Sequence, residues 1–188
     1  MLLHLRRSII ASTIFLVLCG LVYPLVGTGV SQLFFKHQAD GSLTADGSTL
    51  IGQDWAPADG KAPMWFQGRP DGTVLTNKAN QVVVSGTNQP GPRSKALEQA
   101  TAKLVATLKA EGIVPTNDLV TTSGSLVDPD ISPADAYTQV DAVASARGLD
   151  PAAVRRLVAS QVQGKELGFL GMPYVDVLEL NQALSQLR

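Results

Sequence analysis

Histidine is almost missing from this chain of 188 residues: there are two, His4 and His37. Imidazole is the commonest general base at neutral pH. His4 precedes a long apolar run and His37 follows it, so neither is placed to complete a Ser-His-Asp constellation within a folded domain. Cysteine is scarcer still, with Cys19 alone inside the apolar run, which excludes a disulfide framework and a Cys-based metal site in the rest of the chain. Glycine-rich phosphate loops of the Gly-x4-Gly-Lys-Ser/Thr type are absent, so an autonomous P-loop nucleotide site is not encoded. Ser-x-x-Lys and Gly-x-Ser-x-Gly frames are absent too. Basic residues do not accumulate. From Lys36 onward thirteen basic residues stand against sixteen acidic ones, a net charge of −3 that gives no field for nucleic acid.

Against these absences stands one long uncharged stretch, Ser8 to Phe35, behind Arg6 and Arg7. Its 28 residues lack Asp, Glu, Lys, Arg and His. As a helix they would reach about 42 Å, against roughly 30 Å of bilayer hydrocarbon. The chain therefore divides into a short cytoplasmic N-terminus (1–7), a single transmembrane helix (8–35) and one domain of ordinary size (36–188). Arg6 and Arg7 before the span place that domain outside the cytoplasm, on a single-pass protein of the cytoplasmic membrane. A cleavable secretion signal shares the basic start and the small residues Gly27 and Gly29, but its apolar core is usually about 7 to 15 residues. A lipoprotein anchor would use Cys19, where Leu18 occupies the position of a small residue. Each alternative leaves the same domain outside.

Within the domain, Asp-Gly-Ser at 40–42 and 46–48 reads as successive turns, and the valines between Gln81 and Ser85 favour a strand. A helix is predicted from Ser94 to before Gly112, with Leu97, Thr101, Leu104, Val105 and Leu108 on one stripe. A second begins at Ser132 with Pro133 and Asp135 behind it and ends at Gly148, with Ala136, Val140, Val143 and Arg147 sharing one side. A third starts at Asp150–Pro151 and reaches about Gly164; Tyr174 to Leu180 then reads as a strand feeding a short terminal helix. The fold class expected is α+β: a small sheet with three to four helices.

Candidate chemistry is sparse, and no catalytic or metal-ligating set emerges. Ser123-Gly124-Ser125 reads as a tight polar turn, and Asp128-Pro129-Asp130 as a turn before a helix, because a hard cation needs six or more oxygens. Gln139 lies off the apolar stripe of the second helix as a solvent-facing amide able to meet a ribose or a partner backbone. In the span, Gly20, Gly27 and Gly29 permit close approach of a partner helix.

Several ordered segments carry a resemblance. They are Tyr23-Pro24-Leu25 with Gly27-Thr28-Gly29, Leu50-Ile51-Gly52-Gln53, Phe66-Gln67-Gly68-Arg69-Pro70, and Ser85-Gly86-Thr87-Asn88 with Gly91-Pro92. The longest runs from Val114-Pro115 through Asp118-Leu119-Val120-Thr121 and Ser123-Gly124-Ser125 to Asp128-Pro129-Asp130-Ile131-Ser132-Pro133, followed by Gln139-Val140 and Ala146-Arg147-Gly148-Leu149. Leu167-Gly168-Phe169-Leu170-Gly171 and Val175-Asp176-Val177-Leu178 through Leu180-Asn181 complete the series. Together they resemble the KdpC family, the C subunits of the Kdp potassium-transporting P-type ATPases, from end to end. The chain departs from that family at Leu126 and Val127 (usually Gly-Leu), at Asp141-Ala142 (commonly Pro-Arg), at Met172 (usually Glu) and at Gln89-Pro90.

The resemblance implies an accessory, non-catalytic subunit with no cofactor of its own. Its partners would be the channel-like subunit KdpA, the ATP-hydrolysing subunit KdpB and the small subunit KdpF, and ATP would enter through the partner. It implies two roles: a catalytic chaperone raising the ATP affinity of KdpB, or a cap beside the potassium entrance. The charge flanks favour the cap, since ATP is hydrolysed in the cytoplasm. Partner contacts would fall on Gly20, Tyr23, Pro24, Gly27 and Gly29 of the span and on Ser123, Gly124, Ser125 and Asp128 of the loop, with Gln139 a possible nucleotide contact. From another class, a membrane-anchored exported enzyme or ligand-binding module would use the Ser123–Asp130 loop.

Overall fold

The computed structural model describes residues 2–55, 63–70, 74–76, 82–84 and 91–187. They form two units, Met1–Leu43 and Thr44–Arg188. The first is an apolar rod: α1 (Leu2–Val17), one π-helical turn (Leu18–Val22) and α2 (Tyr23–Phe34), followed by a single turn, α3 (Lys36–Ala39). Within Leu2–Phe34 an 18-residue window reaches a mean hydropathy of 2.4 and none of it is buried, which fits a single-pass membrane protein. The π turn has a local cause. Pro24 has no N–H, and its ring would collide with the carbonyl four residues back, on Gly20. The chain widens there, and the Tyr23 N–H reaches past that position to the Leu18 carbonyl.

The second unit begins with two short strands, β1 (Val74–Thr76) and β2 (Val82–Val84), paired antiparallel with Val74 opposite Val84. The valine run is therefore a strand, as its composition predicts. Then come α4 (Lys95–Ala110), the single turn α5 (Asn117–Val120), β3 (Asp130–Ile131), α6 (Pro133–Arg147), α7 (Pro151–Gln161), β4 (Val175–Asp176) and α8 (Val177–Gln186). β3 and β4 pair antiparallel. Four helices of ten residues or more and two small antiparallel pairs make the described part of this unit α+β.

Helix ends follow the side chains that satisfy their free N–H groups. Ser94 Oγ accepts the Leu97 N–H at 3.1 Å to start α4. At α6 the Ser132 Oγ accepts from the Asp135 N–H at 3.2 Å while the Asp135 carboxylate accepts from the Ser132 N–H at 3.3 Å, a reciprocal capping box. Gly148 closes that helix at φ 66°, in the left-handed region. Asp150 caps α7 two residues later.

Two boundaries differ from the sequence expectation. α7 ends at Gln161 rather than near Gly164, because Val162 turns extended and Gln163 pairs with Tyr174. The strand expected over Tyr174–Leu180 is only Val175–Asp176. Asp176 Oδ1 accepts the Glu179 N–H at 2.8 Å, and this cap starts α8 at Val177.

The main core joins the inner faces of α6, α7 and α8 around Val140, Val143, Val154, Val158, Leu180 and Leu184. A smaller cluster gathers Leu108, Ile113 and Leu119. On α4 the expected stripe is the least exposed face, yet only Leu108 is buried; Leu97, Thr101, Leu104 and Val105 are half-buried.

Candidate functional site

Phe66 and Gln67 form the centre of an extended stretch threaded between α6 and α8, and it is held by side-chain amides instead of a strand. Asn181 on α8 accepts the Phe66 N–H and donates to the Phe66 carbonyl, both at 2.9 Å. Gln139 on α6 accepts the Gln67 N–H at 2.7 Å and donates to the Gln67 carbonyl at 3.0 Å. Two adjacent residues are thus clamped in both directions by two side chains, each shaped like a peptide group. Phe66 is fully buried in the main core.

This placement corrects the reading of Gln139. It does not face solvent: it is fully buried, and its amide is committed to the backbone of Gln67. A nucleotide could reach it only by displacing that segment. The α6 stripe is wider than the sequence suggests, because a second layer of chain covers the face on which Gln139 lies.

Aromatic and cationic groups extend the clamp. Trp55 and Trp65 meet with ring centroids 5.6 Å apart and planes inclined at 48°. The Arg147 guanidinium lies over the Trp65 ring at 4.7 Å and donates to the Met64 carbonyl at 3.3 Å. At the other end, Arg69 donates to the Thr122 carbonyl at 3.1 Å and stands 3.8 Å from Asp118 and 4.0 Å from Asp128. Arg69 therefore ties the clamped stretch to the loop after α5.

That loop is built by its own hydroxyls. Ser123 Oγ accepts the Leu126 N–H at 2.9 Å and Ser125 Oγ accepts the Val127 N–H at 3.2 Å, so both serines serve the turn. Leu126 adopts φ 63°, a conformation that glycine reaches without strain. Its side chain is buried. Gly52 packs against the same loop, donating to the Val127 carbonyl at 2.8 Å. A β-carbon on Gly52 would lie 2.4 Å from the Asp128 carbonyl oxygen, so only glycine fits.

Carboxylates collect where the loop enters β3. Asp130 and Asp176 are direct cross-strand partners. Burial, followed by the charges of Asp176, Asp128 and Glu179, pushes Asp130 up to about 6. Asp176 is raised by burial, against the stabilising hydrogen bond from the Glu179 N–H. Asp118 is raised by burial and by its hydrogen bond and repulsion with Asp135, against the attraction of Arg69. Among the described residues no three His, Cys, Asp or Glu side chains are placed to hold a metal ion.

The span residues Gly20, Tyr23, Pro24, Gly27 and Gly29 all lie on the exposed apolar rod, with Gly20 inside the π turn. Tyr23 and Pro24 precede Gly27 by four and three residues and share its face, whereas Gly29 lies across the helix. Ser85 to Asn88 and Gln89-Pro90 lie outside the described residues. Asp141 stands 4.0 Å from Arg155, whose guanidinium is 5.7 Å from the Tyr137 ring beside a shallow groove of about 430 Å³. Gln67, Arg69, Trp65 and Asn181 were not singled out as site residues by sequence reasoning. Phe66 and Asn181 are 115 residues apart, and no local periodicity connects them.

The sequence model of the family described as "KdpC: K+-transporting ATPase, c chain" matches residues 5–186, the apolar rod included. The potassium-transporting ATPase KdpC subunit of Sorangium cellulosum is 46% identical over 197 aligned residues that cover 100% of both chains. The subunit of the same name from Caulobacter vibrioides is 45% identical, covering 98% of this chain and 93% of its own length. That from Rhodopseudomonas palustris is 43% identical, covering 98% and 97%. With the rod, the clamped stretch and the serine loop all inside one continuous match, this chain belongs to the KdpC family of potassium-transporting ATPase subunits.

Proposed function

We propose that this chain is an accessory subunit that assembles with the channel-like KdpA and the ATP-hydrolysing KdpB, together with KdpF, and stabilises their complex. It holds its folded unit outside the cytoplasm as a cap beside the potassium entrance. The observation that carries this reading is the end-to-end family match of a chain whose one long apolar helix follows Arg6 and Arg7. Tether and folded unit then act together. The distinctive polar side chains of that unit also favour a scaffold, since Gln139, Asn181, Ser123 and Ser125 are engaged with backbone.

In this role the chain moves no phosphoryl group and holds no nucleotide of its own. ATP affinity of the complex rises through the membrane helix, whose Tyr23, Pro24 and Gly27 face is open to a partner helix, with Gly20 just before it in the π turn. The net charge of −3 adds a modest attraction for cations near the pump mouth, screened beyond about 8 Å at physiological salt.

The test is affinity purification of tagged full-length chain from potassium-starved cells, with potassium-stimulated ATPase assayed on the product. Recovery of the channel-like and ATP-hydrolysing subunits with vanadate-sensitive activity is the expected result. A complex of unchanged yield and potassium affinity after deletion of residues 44–188 would overturn the capping role. Unchanged ATP affinity in a complex that lacks the chain altogether would overturn the chaperone component.

A further inference from the structure

Between α7 and β4 the chain forms a hairpin whose tip exposes four large apolar side chains. Leu167 is 81% exposed, Phe169 71%, Leu170 50% and Met172 79%. Such a concentration outside the membrane rod marks a docking surface, since soluble surfaces keep large apolar residues scattered. The hairpin is held in shape. At its base Gln163 and Tyr174 exchange backbone hydrogen bonds of 2.8 and 3.1 Å, and nearer the tip the Leu170 N–H donates to the Glu166 carbonyl at 2.9 Å. Leu167 is held at φ 52°, in the left-handed region that a branched side chain avoids, between exposed neighbours that give it no burial in return. The fold thus keeps a strained leucine pointing away from its own core.

We infer that the Leu167–Met172 tip is a preformed knob that seats in an apolar pocket of a second subunit of the ATPase. This rests on the accessory-subunit reading and names its contact. Charge argues for a protein over a lipid surface as the occupant. Leu167 to Val175 carries no charge, Lys165 and Glu166 at its base cancel, and the region from Lys36 onward is net −3, so nothing attracts anionic headgroups. Phenylalanine and methionine are enriched at protein interfaces, and a rigid tip loses little freedom on docking. Met172 is followed by the exposed Pro173, so the apolar surface runs on past the tip.

The test uses full-length chain with Cys19→Ser and Phe169→Cys, which leaves one thiol at the tip. Labelling by a water-soluble maleimide is followed in the assembled complex and in the chain alone in phosphatidylcholine vesicles. The expected result is rapid labelling of the chain alone and loss of labelling in the complex, with a thiol crosslinker joining residue 169 to another subunit. A second variant, Leu167→Ser with Phe169→Ser and Met172→Ser, should lower recovery of the other subunits by about tenfold or more while the unfolding curve of the chain is unchanged. Equal labelling in complex and isolated chain, or full recovery with the triple variant, overturns the inference and leaves the accessory-subunit reading intact. Protection already present in vesicles without other subunits assigns the tip to lipid and also overturns it. Wild-type chain that brings down no other subunit overturns the reading beneath the inference, and the inference with it.

Discussion

Replacing Asn181 by alanine removes one half of the double amide clamp and gives a sharp measurement. Asn181 is 1% exposed and satisfies both the N–H and the carbonyl of Phe66 at 2.9 Å. Its loss leaves two buried backbone groups without partners, each costing about 1–3 kcal/mol. The small cavity left by the amide adds to this, so about 3–5 kcal/mol is expected in all. Domains of this size have a stability of about 5–15 kcal/mol, so the variant should unfold at markedly lower urea. The assay is built into the chain. Both tryptophans, Trp55 and Trp65, lie at the clamped stretch, with Arg147 over Trp65, so intrinsic fluorescence reports its detachment while far-UV dichroism reports the helices. Gln139→Ala removes the matching pair at Gln67, and because the two amides hold adjacent residues the double variant should cost less than the sum. An Asn181→Ala chain that loses less than about 1 kcal/mol, or a double variant that is strictly additive, would refute the clamp as the element that holds Phe66 in the core.

Three further outcomes follow from the loop and its carboxylates. Asp130 binds its proton more tightly folded than unfolded, with a value of about 6 against an ordinary 3.8, so its contribution is fully present below pH 3.8 and lost as pH rises through 6. Asp130→Asn should flatten that fall and stabilise the chain at pH 7.5 by about 1 kcal/mol, reduced from the full shift because the group is half in solvent; urea titrations at pH 4.5 and 7.5 measure the difference. Gly52→Ala should cost about 1–3 kcal/mol in the same titration, since its β-carbon would fall 2.4 Å from the Asp128 carbonyl oxygen. Leu126→Gly relieves about 1–2 kcal/mol of left-handed strain but empties a buried site worth about 2–4 kcal/mol, for a net loss of about 1–2 kcal/mol in the thermal midpoint analysis.

Local chemistry was legible wherever one residue acts on its neighbours. Ser94, Ser132 with Asp135, and Asp150 each start a helix where their type and spacing indicate, because a cap bonds an N–H two or three residues away. Gly148 ends α6 for an equally local reason. The start of α8 was missed because Asp176 and Val175 suit a strand as well as a cap, and only the pairing with β3 decides how far the strand runs. Gln139 was misread for a related reason. A glutamine beside an apolar stripe looks solvated until another segment covers it, and the covering segment lies 72 residues away.

The apolar rod, its basic flank, the placement of both histidines, His4 and His37, near its two ends and the family to which the chain belongs were all determined by sequence alone. They depend on composition and on order along one chain, which folding does not alter. Tertiary structure alone decided that two amides hold Phe66 and Gln67 in place of a strand, that Leu126 takes a glycine's conformation with its side chain buried, and that Asp130 faces Asp176. It also decided that Leu167, Phe169 and Met172 project from the fold. These are outcomes of burial and of contacts between distant residues, and a hydrogen bond or a desolvated charge acquires its energy only once the chain has brought both sides together.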